Sequence, residues 1–126
     1  MTPFGAKIRY WRSHKNLTLQ EQAEELGVTS AYLSALETGT RGRPSTALVD
    51  QICVWLELIW DDAEELKRLA SLSHPKPTIN TRRSHADATY LANFLAQNIV
   101  RLTPADCQLV TELIGKCLCL NDDTVM

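Results

Sequence analysis

The sequence predicts an all-α protein, with five short helices forming one domain and a two-helix hairpin following it. Three observations carry that expectation. Apolar residues recur at three- and four-residue spacing, and no segment alternates in the manner of a half-buried strand. Capping residues and glycines punctuate the pattern at intervals suited to short helices. A proline-bearing stretch without helical period, SHPKPTINTRRSHAD at 73–87, separates the two parts. The expected divisions are a domain over 1–72, a linker over 73–86, the hairpin over 87–120 and a frayed tail over 121–126.

The first helix is marked by Phe4, Ile8 and Trp11, and a turn at Lys15-Asn16 precedes Leu17. Thr18-Leu19-Gln20-Glu21 has the form of a capping box, in which the Thr18 side chain caps the first amides and Glu21 reaches back. Leu19, Ala23 and Leu26 give the second helix its buried face. Gly27 ends it, because glycine enters the left-handed conformation at little cost. Thr29 or Ser30 can cap a third helix after a short turn, with Leu33 and Leu36 as anchors and Gly39 as its end. Pro44-Ser45 opens a fourth, which turns Leu48, Ile52, Trp55 and Leu56 inward. Asp61 to Glu64 resembles a capping pair before the fifth, AEELKRLASL.

Beyond the linker, Ala88, Leu91, Leu95, Ile99 and Leu102 form one stripe. Thr103-Pro104-Ala105-Asp106 is a strong helix start: a cap, a proline at the first position and an acid at the third. Leu109, Val110, Leu113, Ile114 and Cys117 continue that helix. Segments shorter than about 40 residues rarely bury a core unaided. The two helices must therefore pack on the preceding domain or on another chain. Pairing with a second copy is the economical solution, through Leu91, Leu95, Ile99, Leu102, Val110, Leu113 and Ile114.

Composition narrows the function classes. The chain has 126 residues, 44% apolar and 22% charged, as in ordinary globular proteins. It has no run of about 18 apolar residues, and MTPFGAKIRYW lacks an apolar signal core, so a cytoplasmic location is expected and no membrane partner. Cys53, Cys107, Cys117 and Cys119 are expected to be reduced. Cys117-Leu118-Cys119 is too closely spaced for a common zinc site, so no metal and no cofactor are expected. His14, His74 and His85 are scattered without a convergent carboxylate or nucleophile, and no glycine-rich phosphate loop is present. Asp61-Asp62 and Glu64-Glu65 sit at a helix start, where acids complement the dipole. No catalytic residue is expected, and the protein is not expected to be an enzyme. Residues 1–47 hold six Lys or Arg against four acids, a net +2, whereas the remainder holds seven against eleven, a net −4. That asymmetry suits a polyanion-binding head on an inert body.

The second and third helices, joined by LGVTS, have helix-turn-helix spacing. LTLQEQAEELGVTSAYLSALETG followed by RPSTALVDQI resembles the Xre-type, phage-repressor-like helix-turn-helix family, with Ala23, Gly27, Leu33, Leu36, Glu37, Gly39 and Pro44-Ser45 carrying the match. The resemblance implies a five-helix DNA-binding domain over about residues 3–72, of bacterial type. It implies that the third helix reads DNA, with Ser30, Ala31 and Ser34 as candidates for base edges: serine donates or accepts, and alanine can touch a thymine methyl. Thr18, Gln20, Thr29 and Tyr32 become candidate phosphate contacts. Tyr32 is equally open to a packing role. The resemblance also implies a structural ion pair between Arg12 and Glu37. Many relatives place Gln at the first position of the second helix, where this chain has Leu19, with Gln20 next. The third helix also lacks Arg, Lys, Asn and Gln, so modest direct readout is expected, with specificity drawn from DNA shape and half-site spacing.

Arg41-Gly42-Arg43-Pro44 spells the core of minor-groove-binding peptides. Here it is pinned between two helices, so the expected role is phosphate clamping by Arg41 and Arg43, with Thr38 and Thr40 beside them. Arg82-Arg83 in the linker reads as a solvated pair. The expected function is a homodimeric transcriptional regulator, a repressor, binding double-stranded DNA at a pseudo-palindromic operator. The alternatives are an antitoxin-like protein whose C-terminal helices hold a toxin, and an interaction adaptor without DNA binding.

Overall fold

The computed structural model describes residues 1–125, the side chains of 122–125 excepted. The helices are α1 (Pro3–His14), α2 (Leu19–Leu26), α3 (Ser30–Thr38), α4 (Thr46–Trp55), α5 (Trp60–Ser71), α6 (Ala86–Asn98) and α7 (Pro104–Val125), with a 3-10 turn at Ile99–Arg101. No strand occurs among the described residues. The chain divides into two compact units, Met1–Pro77 and Thr78–Met126.

In the first unit, α1 supplies Phe4 and Ile8 to a core completed by Val49, Ile52, Cys53, Leu56 and Leu58, and by Leu66 and Ala70 of α5. Fully burying a side chain such as Phe4, Ile52 or Leu66 contributes roughly 1.5–3 kcal/mol. Ala23 of α2 and Leu33 and Leu36 of α3 are buried as well. The fourth helix turns slightly from the expected face: Val49 is buried, whereas Leu48 and Trp55 are half-buried. Thr2 caps α1 by accepting from the Gly5 amide at 3.0 Å. Its own N–H donates to the Glu37 carbonyl at 3.1 Å, tying the start of α1 to the end of α3. A Cβ on Gly5 would stand 2.1 Å from that carbonyl oxygen, so the two helices touch backbone to backbone there.

Three boundaries differ from the sequence expectation. The first unit extends past residue 72 into the expected linker, because the Ser73 hydroxyl accepts from the Phe4 amide at 2.9 Å and is itself buried. The fifth helix begins at Trp60, capped by Ile59 without a side-chain hydrogen bond, so Asp61 and Asp62 lie in its first turn and form no capping pair. Leu58 is drawn into the core just before it, and the chain turns through Glu57 at φ 57°. The last helix runs on to Val125, through residues expected to fray, since 121–125 contain neither Gly nor Pro to stop it. Met126 lies outside the described residues.

In the second unit, His85 caps α6 through Nδ1, which accepts from the Ala88 amide at 3.2 Å. At the expected start of α7, Thr103 and Asp106 cap each other reciprocally, at 3.0 and 3.1 Å. The two helices form an open pair. No residue from 78 to 121 is buried, and every residue from Thr111 to Asn121 is exposed.

Candidate nucleic-acid interface

The bihelical unit is built by local chemistry. The Thr18 hydroxyl accepts from the Glu21 amide at 3.0 Å, and the Thr18 amide donates to the Glu21 carboxylate at 3.3 Å. At the other end Gly27 takes φ 71°, and the Val28 amide returns to the Ala23 carbonyl at 2.9 Å. Two residues later the Thr29 hydroxyl accepts from the Tyr32 amide at 3.0 Å and starts α3. This turn leaves no slack, so the angle between α2 and α3 is set by backbone bonds and by the burial of Ala23, Leu33 and Leu36.

A polar network beneath α3 fixes it further. Arg12 of α1 donates to both carboxylate oxygens of Glu37, at 3.0 and 3.3 Å, and to the Gln22 side-chain oxygen at 2.7 Å. Arg9 approaches the same carboxylate at 3.4 Å. Glu37 is wholly buried, and a carboxylate in that position is tolerable because two guanidinium groups face it. Gln22 was absent from the sequence expectation. Its place at i+3 from Leu19 and i−4 from Leu26 put it on the buried face of α2, and that spacing was a usable signal.

The opposite side of α3 faces outward. Ala31 and Tyr32 are exposed, and Ser30 and Ser34 are half-buried. Ser30, Ala31 and Ser34 share one helix face through their i, i+1, i+4 spacing. Thr18, Gln20 and Thr29 are exposed around it. Thr38 and Thr40 are exposed too, but their hydroxyls contact each other at 3.0 Å and both reach the Ala35 carbonyl, at 3.2 and 3.1 Å. They serve the end of α3 before they can serve a ligand.

Arg41 and Arg43 diverge. Arg41 stands with Tyr32 and Thr29 at an open groove between the starts of α3 and α4, whereas Arg43 lines a separate groove with Pro44, Lys67 and Ser71. Gly42 stands between them in the left-handed region at φ 79°, a conformation that glycine adopts at little cost.

Among the described residues no group of His, Cys, Asp and Glu is placed to hold a metal ion. Cys53 is buried, and that burial pushes its thiol pKa up, which keeps it protonated and unreactive. No described helix is long and apolar enough to cross a membrane. In the second unit Leu91, Ile99, Leu113 and Ile114 are exposed, and Leu95, Leu102 and Val110 are half-buried. Tyr90 and Phe94, which the stripe expectation omitted, stack with ring centroids 5.8 Å apart and are exposed as well.

A family model described as a helix-turn-helix domain matches residues 3–69. Three proteins of Bacillus subtilis (strain 168) are similar over the same part. An uncharacterised helix-turn-helix-type transcriptional regulator, RghRB, is 32% identical over 62 residues, 49% of this chain and 45% of that protein. The transcriptional regulator SinR is 32% identical over 54 residues, 43% of this chain and 49% of its own length. The transcriptional repressor RghR is 31% identical over 61 residues, 48% and 45% of the two chains. The match thus spans about half the length of these relatives. No solved structure matches.

Proposed function

This chain belongs to the Xre-type helix-turn-helix family, and from that premise we propose that it is a sequence-specific DNA-binding transcriptional regulator. The first unit is the DNA-binding head. The observation that carries the reading is the presentation of α3: capped by Thr29, braced from below by Arg12 and Glu37, and outward-facing at Ser30, Ala31 and Ser34. On this reading α3 enters the major groove with those three residues at base edges, while Thr18, Gln20, Thr29, Arg41 and Arg43 contact phosphates. The small side chains on α3 leave much of the specificity to DNA shape.

The second unit joins two copies. Leu91 and Phe94 of α6 and Leu109, Leu113 and Leu118 of α7 stay more than half exposed, and a two-fold pairing would bury them. A dimer would set two α3 helices about 34 Å apart on a pseudo-palindromic operator and act as a repressor by occupying a promoter. The same apolar faces favour a second reading, in which they hold a toxin and the protein is an antitoxin that controls its own promoter.

Selection of bound fragments from random-sequence DNA tests the first reading. The expected product is an inverted repeat, bound with affinity that falls steeply as salt rises. Failure to retain any sequence, or binding insensitive to salt, would sink it. Ultracentrifugation of the full chain separates the two readings of α6 and α7. A dimer of the pure protein supports self-pairing, and a monomer that pairs only with a second protein supports the antitoxin.

A further inference from the structure

We propose that Tyr32 is a positioning residue: its ring holds the Arg41 guanidinium in place for a DNA phosphate, coupling the recognition helix to the loop behind it. The inference rests on the DNA-binding reading above. The Arg41 guanidinium carbon lies over the Tyr32 ring, 5.8 Å from its centroid, within cation–π range. No ion pair joins Arg41 to a carboxylate among the described residues, so its charge is not spent on any of them.

Both ends of the contact are held. Tyr32 lies in the first turn of α3, where the Thr29 cap fixes its backbone. Arg41 follows the last turn of the same helix, in a loop anchored by the Thr40 amide, which donates to the Ala35 carbonyl at 3.0 Å. The Gly42 amide closes the loop onto the Gly39 carbonyl at 3.3 Å. The loop thus folds back along the helix and returns Arg41 to the turn that enters DNA. The pair stands at an open groove of about 530 Å³ that Thr29, Ser45 and Gln51 also line. A free arginine at this place would lose its rotamer freedom on meeting a phosphate; the ring removes part of that freedom beforehand. The tyrosine is then useful for its ring, and its hydroxyl is not the contacting group.

A double-mutant cycle on the full chain tests this, using DNA selected as above and affinities measured at several salt concentrations. Tyr32→Leu should weaken binding about two- to five-fold and flatten the salt dependence in the same direction as Arg41→Ala. The double variant should bind no more weakly than Arg41→Ala alone, and Tyr32→Phe should keep the coupling to Arg41. Losses that add in the double variant overturn the inference. So does a Tyr32→Phe variant as weak as Tyr32→Leu, which would make the hydroxyl the contacting group. A loss that tracks unfolding in thermal melts also overturns it. A wild-type chain that selects no DNA at all refutes the DNA-binding reading itself, which additive losses in a binding chain would leave intact.

Discussion

The two units solve the same problem, covering the apolar face of a short helix, in opposite ways. In Met1–Pro77 five helices cover one another, and Phe4, Ile8, Leu33, Ile52, Leu56 and Leu66 are all fully buried. In Thr78–Met126 two longer helices leave Tyr90, Leu91, Phe94, Leu109, Leu113 and Leu118 more than half exposed. Capping does not separate them, since α7 starts with a reciprocal Thr103–Asp106 cap. The number of elements does. Two helices present more apolar surface than they can mutually cover, whereas five close a core. The first unit thus closes its own core, and on the proposed reading a second copy covers the apolar faces of the second.

That contrast can be broken at four points, taken from the largest expected effect downward. Arg12→Ala removes the main partner of a buried carboxylate and should destabilise the first unit by about 3 kcal/mol, the lower end for breaking a buried pair because Arg9 remains near Glu37. Denaturant titration monitored at the tryptophans would read it, and a loss below about 1 kcal/mol would mean that the network contributes little. Leu113→Glu places a charge on the proposed pairing face. It should weaken association by about 2 kcal/mol or more while leaving the melting of the first unit unchanged. Sedimentation at several concentrations gives the first quantity and circular dichroism the second; an unchanged dimer would place the interface elsewhere.

Thr18→Ala removes the capping box of α2 and should cost about 1 kcal/mol. Thr103→Ala at α7 offers the matching change in the second unit, and a dimer that shields α7 should make the two losses similar. The smallest effect concerns pH. The Thr103 amide and hydroxyl hold the Asp106 carboxyl below its ordinary pKa. A depressed carboxylate contributes stability that is present above its unfolded value and lost as pH falls through its folded one. Helicity of the second unit should therefore decline slightly on acidification through that range, and Asp106→Asn should remove the dependence. Helicity that fell equally in the variant would assign the effect to other carboxylates.

Much of the first unit was legible because its signals are local. Thr18 with Glu21, Gly27, Thr29 and Ser45 each act on backbone groups within four residues, and each lies where those residue types predict. The start of α5 was misread because its position depends on Leu58 reaching a core formed by distant residues. Gly5 carried no local signal either. Its role exists only because the Glu37 carbonyl arrives against it from thirty-two positions along the chain. Of the candidate interface, the outward face of α3 follows from helical period alone. The separation of Arg41 from Arg43 does not, because both precede a proline in one short loop and only its folded path sends them to different grooves.

By itself, then, the sequence determined which segments are helical, where most of them begin and end, and which family the first unit belongs to. These are properties of neighbouring residues and of periodicity, and neither needs a partner. Tertiary structure alone decided that Gln22 and Glu37 share one arginine, that Ser73 closes the first unit, and that Tyr32 meets Arg41. It also decided that α6 and α7 lie open. Each of these depends on groups brought together across the chain, and which groups meet is set by how the helices share a limited interior.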